Sequence, residues 1–373
     1  MPRNTVLVVG GAGRGGRYTV EFLARSNLVN EIVILDVKDP TTTYYNTLIG
    51  AASQDYYPEL RYVVQSVLEV DKMAKLLKEV KPAIVINMAT LIPTIPFEPI
   101  ARRAVKDAGL PYPTHILAHT LAKDLAPMYR LMQAIKESGI ETIVVNIASP
   151  DHVHPILDKV GLTPTVGGGN IDLIVQGIRK AVAGKMNVPM RRVEVFMIAH
   201  HAVFAWPPGE VPYFLKIVVD GQDVTKQFDK NELLAKAQSM IPDDCLSMAA
   251  ASAVANALAI LGDAKIIRHA SGPNGLPGGY PLKMDAEGVE VVLPKEVSMN
   301  EALEMNMEGM KKDGIERIED DGTIVFTKEA VTVLEEVAKL SGWTKLRLEE
   351  AEEMAKQLLE AYRKIAEKYG VKL

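Results

Sequence analysis

Residues 5–36, TVLVVGGAGRGGRYTVEFLARSNLVNEIVILD, decide how the rest of the chain is read. Val6 to Val9 form an unbroken apolar run, the pattern of a strand buried on both faces. A glycine cluster follows, with Gly10, Gly11, Gly13, Gly15 and Gly16. Val20, Phe22 and Leu23 then recur at helical spacing. A second apolar run, Ile32 to Leu35, ends in Asp36. The order strand, glycine turn, helix, strand predicts a unit that cradles a diphosphate. Gly10 permits a tight turn, Gly13 a close backbone approach, and Gly16 close packing of helix on strand. The helix N-terminus offers N–H groups and a positive dipole end to an anion.

Asp36 stands where a carboxylate accepts hydrogen bonds from ribose hydroxyls and repels a 2′-phosphate, so NAD is expected rather than NADP. Arg14 and Arg17 could each pair with a phosphate and keep NADP open. The cofactor-binding set is Gly10, Gly11, Ala12, Gly13, Arg14, Gly15, Gly16 and Asp36. Asn87, Ala89, Asn146 and Ser149 join it from the ends of later strands. No Gly-Lys-Ser/Thr closes the cluster, which argues against a P-loop.

Beyond Asp36 the alternation continues. Strands are expected over 61–67, 83–88 and 142–147, and helices over 69–80 and 118–138. Strand and helix in turn imply a doubly wound parallel sheet. The segment 91–114 is proline-rich, contains a helical stretch, and is a candidate lid over the crevice. A dinucleotide-binding domain over 1–150 should give way near Pro150 to a second, α+β domain over 151–373. There, helices are expected over 172–183, 247–261 and 346–369. Strands are expected over 193–199, 264–270 and 289–293, with a hairpin from Phe214 through DGQDV and an extended stretch over 314–326.

The chain has 373 residues, 48% of them hydrophobic and 24% charged, which is ordinary for a soluble globular protein. A net charge of −5 without basic blocks gives no reason to expect nucleic acid or membrane as partner. The single cysteine, Cys245, excludes a disulfide framework and reads as inert packing in a buried helix. The first residues lead into a strand rather than a signal peptide, and a cytoplasmic location is expected.

The candidate chemistry lies in the second half. Asp172 follows a glycine run and opens a helix; His200 and His201 end the next strand. A histidine there can exchange protons with a carbonyl or hydroxyl near neutral pH, and a carboxylate behind it would fix its tautomer. With a nicotinamide cofactor, such a pair suggests hydride transfer coupled to proton transfer.

Residues 144–202, VVNIASPDHVHPILDKVGLTPTVGGGNIDLIVQGIRKAVAGKMNVPMRRVEVFMIAHHA, resemble the central segment of the lactate/malate dehydrogenase superfamily. The resemblance implies that His201 exchanges the proton and that Asp172 is its partner, with His200 one residue away. It places Ser149-Pro150 at the family's Asn-Pro, or Asn146 under a small gap. It also implies a small-molecule substrate (a secondary alcohol, ketone or hydroxy acid) and a homodimer or homotetramer. The family's carboxylate-binding arginine has no match one turn after Asp172; Arg102, Arg103 and Arg179 are candidates. Extended short-chain dehydrogenases share features of 69–89, but no tyrosine has a lysine four residues on. Two alternatives remain open. One is an NAD-binding regulatory protein. The other is an NAD- and metal-dependent glycosidase with ligands drawn from His152, His154, His200 and His201. The leading reading assigns no metal.

Overall fold

The computed structural model describes residues 4–39, 41, 57–110, 118, 120–242 and 244–372. The sequence between Asp36 and the strand expected over 61–67 reads as an irregular or short helical connection over 40–57, and of it only residues 41 and 57 are among those described. Its first half is β1 (Thr5–Val9), α1 (Arg14–Ala24), β2 (Glu31–Asp36), β3 (Glu59–Val64), α2 (Val70–Val80) and β4 (Ile84–Asn87), followed by α3 (Thr94–Asp107), α4 (Ala122–Ser138), β5 (Ile143–Asn146), α5 (Pro150–Asp158) and β6 (Val166–Gly167). The six strands form one sheet in the order β3-β2-β1-β4-β5-β6, and every pairing is parallel. This is the expected doubly wound α/β fold. The sheet runs on to Gly167, past the domain boundary expected near Pro150, because β6 pairs with β5.

Successive side chains of a strand point to opposite faces, and the apolar runs therefore feed two cores. Leu7, Val9, Val33, Leu35 and Val85 face one layer. There they meet Leu77 of α2, Phe97 of α3 and Leu125 of α4. Val6, Val8, Ile32, Ile34, Ile84 and Ile86 face the other, against Val20 and Leu23 of α1.

The second half comprises α6 (Ile171–Met186), β7 (Val193–Ile198), β8 (Phe214–Val219), β9 (Gln222–Asp223), α7 (Lys230–Ser239) and α8 (Leu246–Leu261). After these come β10 (Ile266–Ser271), β11 (Gly279–Asp285), β12 (Gly288–Val291), α9 (Met299–Lys312), β13 (Ile315–Ile318), β14 (Ile324–Phe326), α10 (Lys328–Glu336), β15 (Lys345–Leu346) and α11 (Ala351–Lys368). Three small antiparallel sheets, β7-β8-β9, β10-β11-β12 and β13-β14-β15, account for the α+β character.

Two of these elements return to the parallel sheet. Ala253, Val254 and Ala257 of α8 pack on the α1 side. Met354, Leu358 and Tyr362 of α11 pack on the other, where the Tyr362 ring meets Phe97 at 4.7 Å. The apolar stripe of α11 thus covers one face of the parallel sheet. Among the described residues no helix is long and apolar enough to cross a membrane.

Candidate active site

A cleft of about 800 Å³ opens beyond the carboxyl ends of the parallel strands, where ligands sit in sheets of this kind. One end is built by the glycine turn. The amides of Gly10 and Gly11 both donate to the Leu35 carbonyl, at 2.8 and 3.0 Å, folding the turn back over β2. Gly10 has φ +78°, and a Cβ there would lie 2.7 Å from the Ala89 nitrogen. A Cβ on Gly16 would lie 2.2 Å from the Gly10 carbonyl oxygen. The glycines are thus required by the turn's own packing. Helix α1 starts after Gly13 with no acidic residue in its first turn, so its positive end is uncompensated from within. Asp36 closes this end: its carboxylate accepts the Ala12 amide at 2.9 Å and the Lys38 amide at 3.1 Å. Arg14 lines the cleft and pairs with Asp244, just ahead of α8.

Gly10, Ala12, Gly13, Arg14, Gly15, Gly16, Asp36, Ala89 and Ser149 all line this cleft. Asn87 and Asn146 do not act as expected. They are fully buried at adjacent strand ends, and the Asn87 amide donates to the Asn146 side chain at 2.9 Å. Each then caps its own strand, accepting the amides of Ala89 and Ala148. Their polar atoms are used in joining β4 to β5.

At the other end His201 faces the cleft from the turn after β7. The expected Asp172 partnership is not formed. The Asp172 carboxylate is buried and accepts from Ser252 at 2.7 Å, Gln176 at 2.8 Å and Arg268 at 3.2 Å. It ties α6 to α8 and β10. The carboxylate at His201 is Asp313, the residue that follows α9. His201 Nδ1 lies 3.0 Å from Asp313 Oδ2. The His201 ring stacks on Phe204, with centroids 5.5 Å apart and planes 7° from parallel. Its backbone amide donates to Asp151 at 3.0 Å, and Asn170 donates to the other oxygen of Asp151.

Two more imidazoles converge on Asp313 Oδ2: His152 Nε2 at 3.3 Å and His200 Nδ1 at 3.4 Å. His200 is fully buried and does not reach the cleft as a substrate contact. His154 turns elsewhere, with Nδ1 2.6 Å from the Gly272 carbonyl. Burial pushes the His201 pKa down, but the charge and hydrogen bond of Asp313, helped by Asp151, outweigh it and hold it above the ordinary value. For Asp313, burial pushes the pKa up; the His201 charge and the three imidazole contacts prevail and hold it well below the usual carboxylate range. Burial lowers His152.

A second polar group was not expected. Lys123 is buried in α4, with Nζ 2.8 and 2.9 Å from the two oxygens of Asp124, and Ser149 Oγ donates to Asp124 at 2.7 Å. All three residues line the cleft, as do Glu98 and Arg102. Of the three candidate arginines, Arg102 alone lines it, 3.6 Å from Glu98. Arg103 lies 4.1 Å over the Tyr369 ring, and Arg179 donates to the carbonyls of Met190 and Val193. Cys245 sits at the N-cap of α8, half-buried at the cleft wall rather than inside a helix.

A signal for Asp313 did exist. An acid at a helix C-terminus meets the negative dipole end, so Lys-Lys-Asp-Gly marks a carboxylate retained against that cost. The Lys123-Asp124 pair, set among the apolar residues Leu121, Ala122, Leu125 and Ala126 at the start of α4, was the equivalent mark for the second group.

No family model and no curated protein matches the chain in sequence. The structure is similar to several solved ones at low identity. A lactate dehydrogenase from a Medee basin deep-sea metagenome library superposes with a TM-score of 0.60 at 14% identity, over 84% of this chain and 97% of that one. A malate dehydrogenase from Plasmodium falciparum, solved with NADH, gives 0.57 at 13%, over 83% and 96%. A lactate dehydrogenase from Cryptosporidium parvum, solved with lactic acid and nicotinamide adenine dinucleotide, gives 0.59 at 16%, over 84% and 96%. The chain has the two-domain lactate/malate dehydrogenase fold.

Proposed function

We propose that this protein is an NAD-dependent oxidoreductase acting on a secondary alcohol, ketone or hydroxy acid. One observation supports this above the rest: the glycine turn with Asp36 and the His201–Asp313 pair open on the same cleft. The glycine cradle and the uncompensated end of α1 fit a dinucleotide diphosphate, and Asp36 stands at the ribose position. A bound nicotinamide would supply the hydride chemistry.

The chain's own residues do the rest. Asp313 fixes Nδ1 of His201, which leaves Nε2 to exchange a proton with the substrate oxygen. The negative charge of Asp313 stabilises the imidazolium formed when His201 takes that proton. Phe204 holds the ring plane. Lys123, steadied by Asp124 and Ser149, and Arg102 are the cations placed to bind an acidic substrate group. Water is restricted by Leu173, Ile241 and Leu246 along the wall.

The test follows NADH absorbance over a panel of 2-oxo acids, ketones and their alcohols, with His201→Ala in parallel. Turnover lost in the variant, with NADH binding kept, is the expected result. Binding of NADH without turnover on any compound favours the regulatory alternative. Equal turnover in variant and parent removes His201 from the mechanism.

A further inference from the structure

We propose that His152, His200 and Asp313 form a binding site for one divalent transition-metal ion at the floor of the cleft. Their ligand atoms lie within 4.8 Å of one another. Asp313 Oδ2 is 3.3 Å from His152 Nε2 and 3.4 Å from His200 Nδ1. Ligands bonded to a tetrahedral ion at its usual bond lengths stand about 3.3 Å apart, so the carboxylate already stands at coordination spacing from each imidazole, and the two imidazoles are within 4.8 Å of each other.

The hydrogen bonding points the same way. Nδ1 of His152 and Nε2 of His200 are buried without a hydrogen-bond partner, and Nε2 of His152 meets the Asp313 carboxylate at 3.3 Å but outside hydrogen-bond geometry. A neutral imidazole always carries one N–H and one lone pair, and buried groups of this kind are ordinarily satisfied. His200 Nδ1 accepts the Ala202 amide at 3.2 Å, which leaves its proton on the unpartnered Nε2; coordinating an ion through either nitrogen exchanges that amide bond for the metal bond. Asp313 and Asp151 are both buried carboxylates, and among the described residues neither pairs with a lysine or arginine. His201 brings positive charge to both, and a divalent ion would add to it.

Two imidazoles and one carboxylate suit zinc, cobalt or manganese rather than magnesium or calcium, which prefer all-oxygen shells. Asp313 lines the cleft while the two histidines are buried behind it, so a fourth position would face the cavity. Three protein ligands with one open position is the pattern of catalytic sites, in which the ion polarises a substrate oxygen. Ion binding itself does not rest on the hydride-transfer reading.

The experiment strips the full-length protein with a chelator, dialyses it, and titrates it with Zn²⁺ by calorimetry and with Co²⁺ by visible absorbance. The expected result is one ion per chain and the strong visible bands of tetrahedral cobalt. His152→Ala and His200→Gln should each weaken binding by about 100-fold or more, while His154→Ala, outside the trio, retains it. Circular dichroism establishes that each variant is folded; should His152→Ala unfold, His200→Gln carries the comparison. Absence of stoichiometric binding by the parent overturns the proposal, as does undiminished binding by folded variants. NADH binding on the same samples is read separately, so failure of the metal site and failure of the cofactor reading are distinguishable.

Discussion

Asp313 Oδ2 lies 3.0 Å from Nδ1 of His201, although 112 residues separate the two along the chain. The contact forms because α9 ends at the turn that carries His201; Gly309 packs so closely that a Cβ there would lie 2.2 Å from His200 Cβ. Asp313→Asn should leave NADH affinity unchanged and lower turnover by about 10⁴-fold, the scale set by losing a carboxylate behind a catalytic histidine. Steady-state kinetics beside a fluorescence titration of NADH checks this. A variant with parental turnover would remove Asp313 from the mechanism.

Asp172 makes the opposite prediction. Its carboxylate serves Ser252, Gln176 and Arg268 rather than His201. Asp172→Ala should cost about 2 kcal/mol by leaving buried donors unpaired. Turnover per folded molecule should hold below the melting temperature. Thermal unfolding and active-site titration separate the two effects; a folded Asp172→Ala protein without activity would restore the Asp172–His201 pairing.

Two helical glycines, Gly16 and Gly184, should respond with opposite signs. Gly16→Ala puts a methyl 2.2 Å from the Gly10 carbonyl oxygen, a backbone atom that cannot turn aside. Loss of about 1–3 kcal/mol and of NADH binding is expected. Gly184 lies on the exposed side of α6, with nothing within 4 Å of a Cβ. Gly184→Ala should stabilise by about 0.5–1 kcal/mol. Urea denaturation of both variants measures the contrast.

Asp36 holds the Ala12 and Lys38 amides and, in the proposed function, the cofactor ribose. Asp36→Ala should weaken NADH binding by about tenfold or more, the loss of one or two charge-assisted hydrogen bonds. It should also narrow the preference over NADPH, because the repulsion of a 2′-phosphate goes with it. Parallel titrations with the two cofactors give the ratio; parental preference in the variant would place discrimination elsewhere.

His269 supplies a pH signature of stability independent of the cleft. Burial pushes its pKa down to about 4, and Nε2 accepts the Met197 amide at 3.1 Å, a bond that protonation breaks. The unfolded chain takes up this proton near 6.5, so stability is complete above that value and falls as the pH drops toward 4. The loss should be on the order of 3 kcal/mol. Melting temperatures across that range, with His269→Gln as reference, test it; a flat curve for the parent would contradict the assignment.

The glycine turn and the parallel sheet were legible in the sequence because their signals are local. A buried strand is an unbroken apolar run, and the turn's glycines are spaced by its own packing. Asp36 and His201 were singled out from local signals too: Asp36 ends β2, and His201 opens the turn after β7. The partner of His201 was not, because a contact between two turns far apart in sequence leaves no periodicity. Asp172 resembled the partner at its position after a glycine run, yet Ser252 of α8 and Arg268 of β10 take its charge inward. Asn87 and Asn146 were read as facing outward because they end strands; they pair with each other instead.

The most direct measurement is a fluorescence titration of the purified protein with NADH, repeated with NADPH and with Gly16→Ala. The predicted result is saturable binding at one site per chain, displaced by NAD⁺, weaker for NADPH and lost in the variant. Absence of saturable NADH binding by the folded parent protein would contradict the dinucleotide cleft, and the hydride-transfer proposal with it.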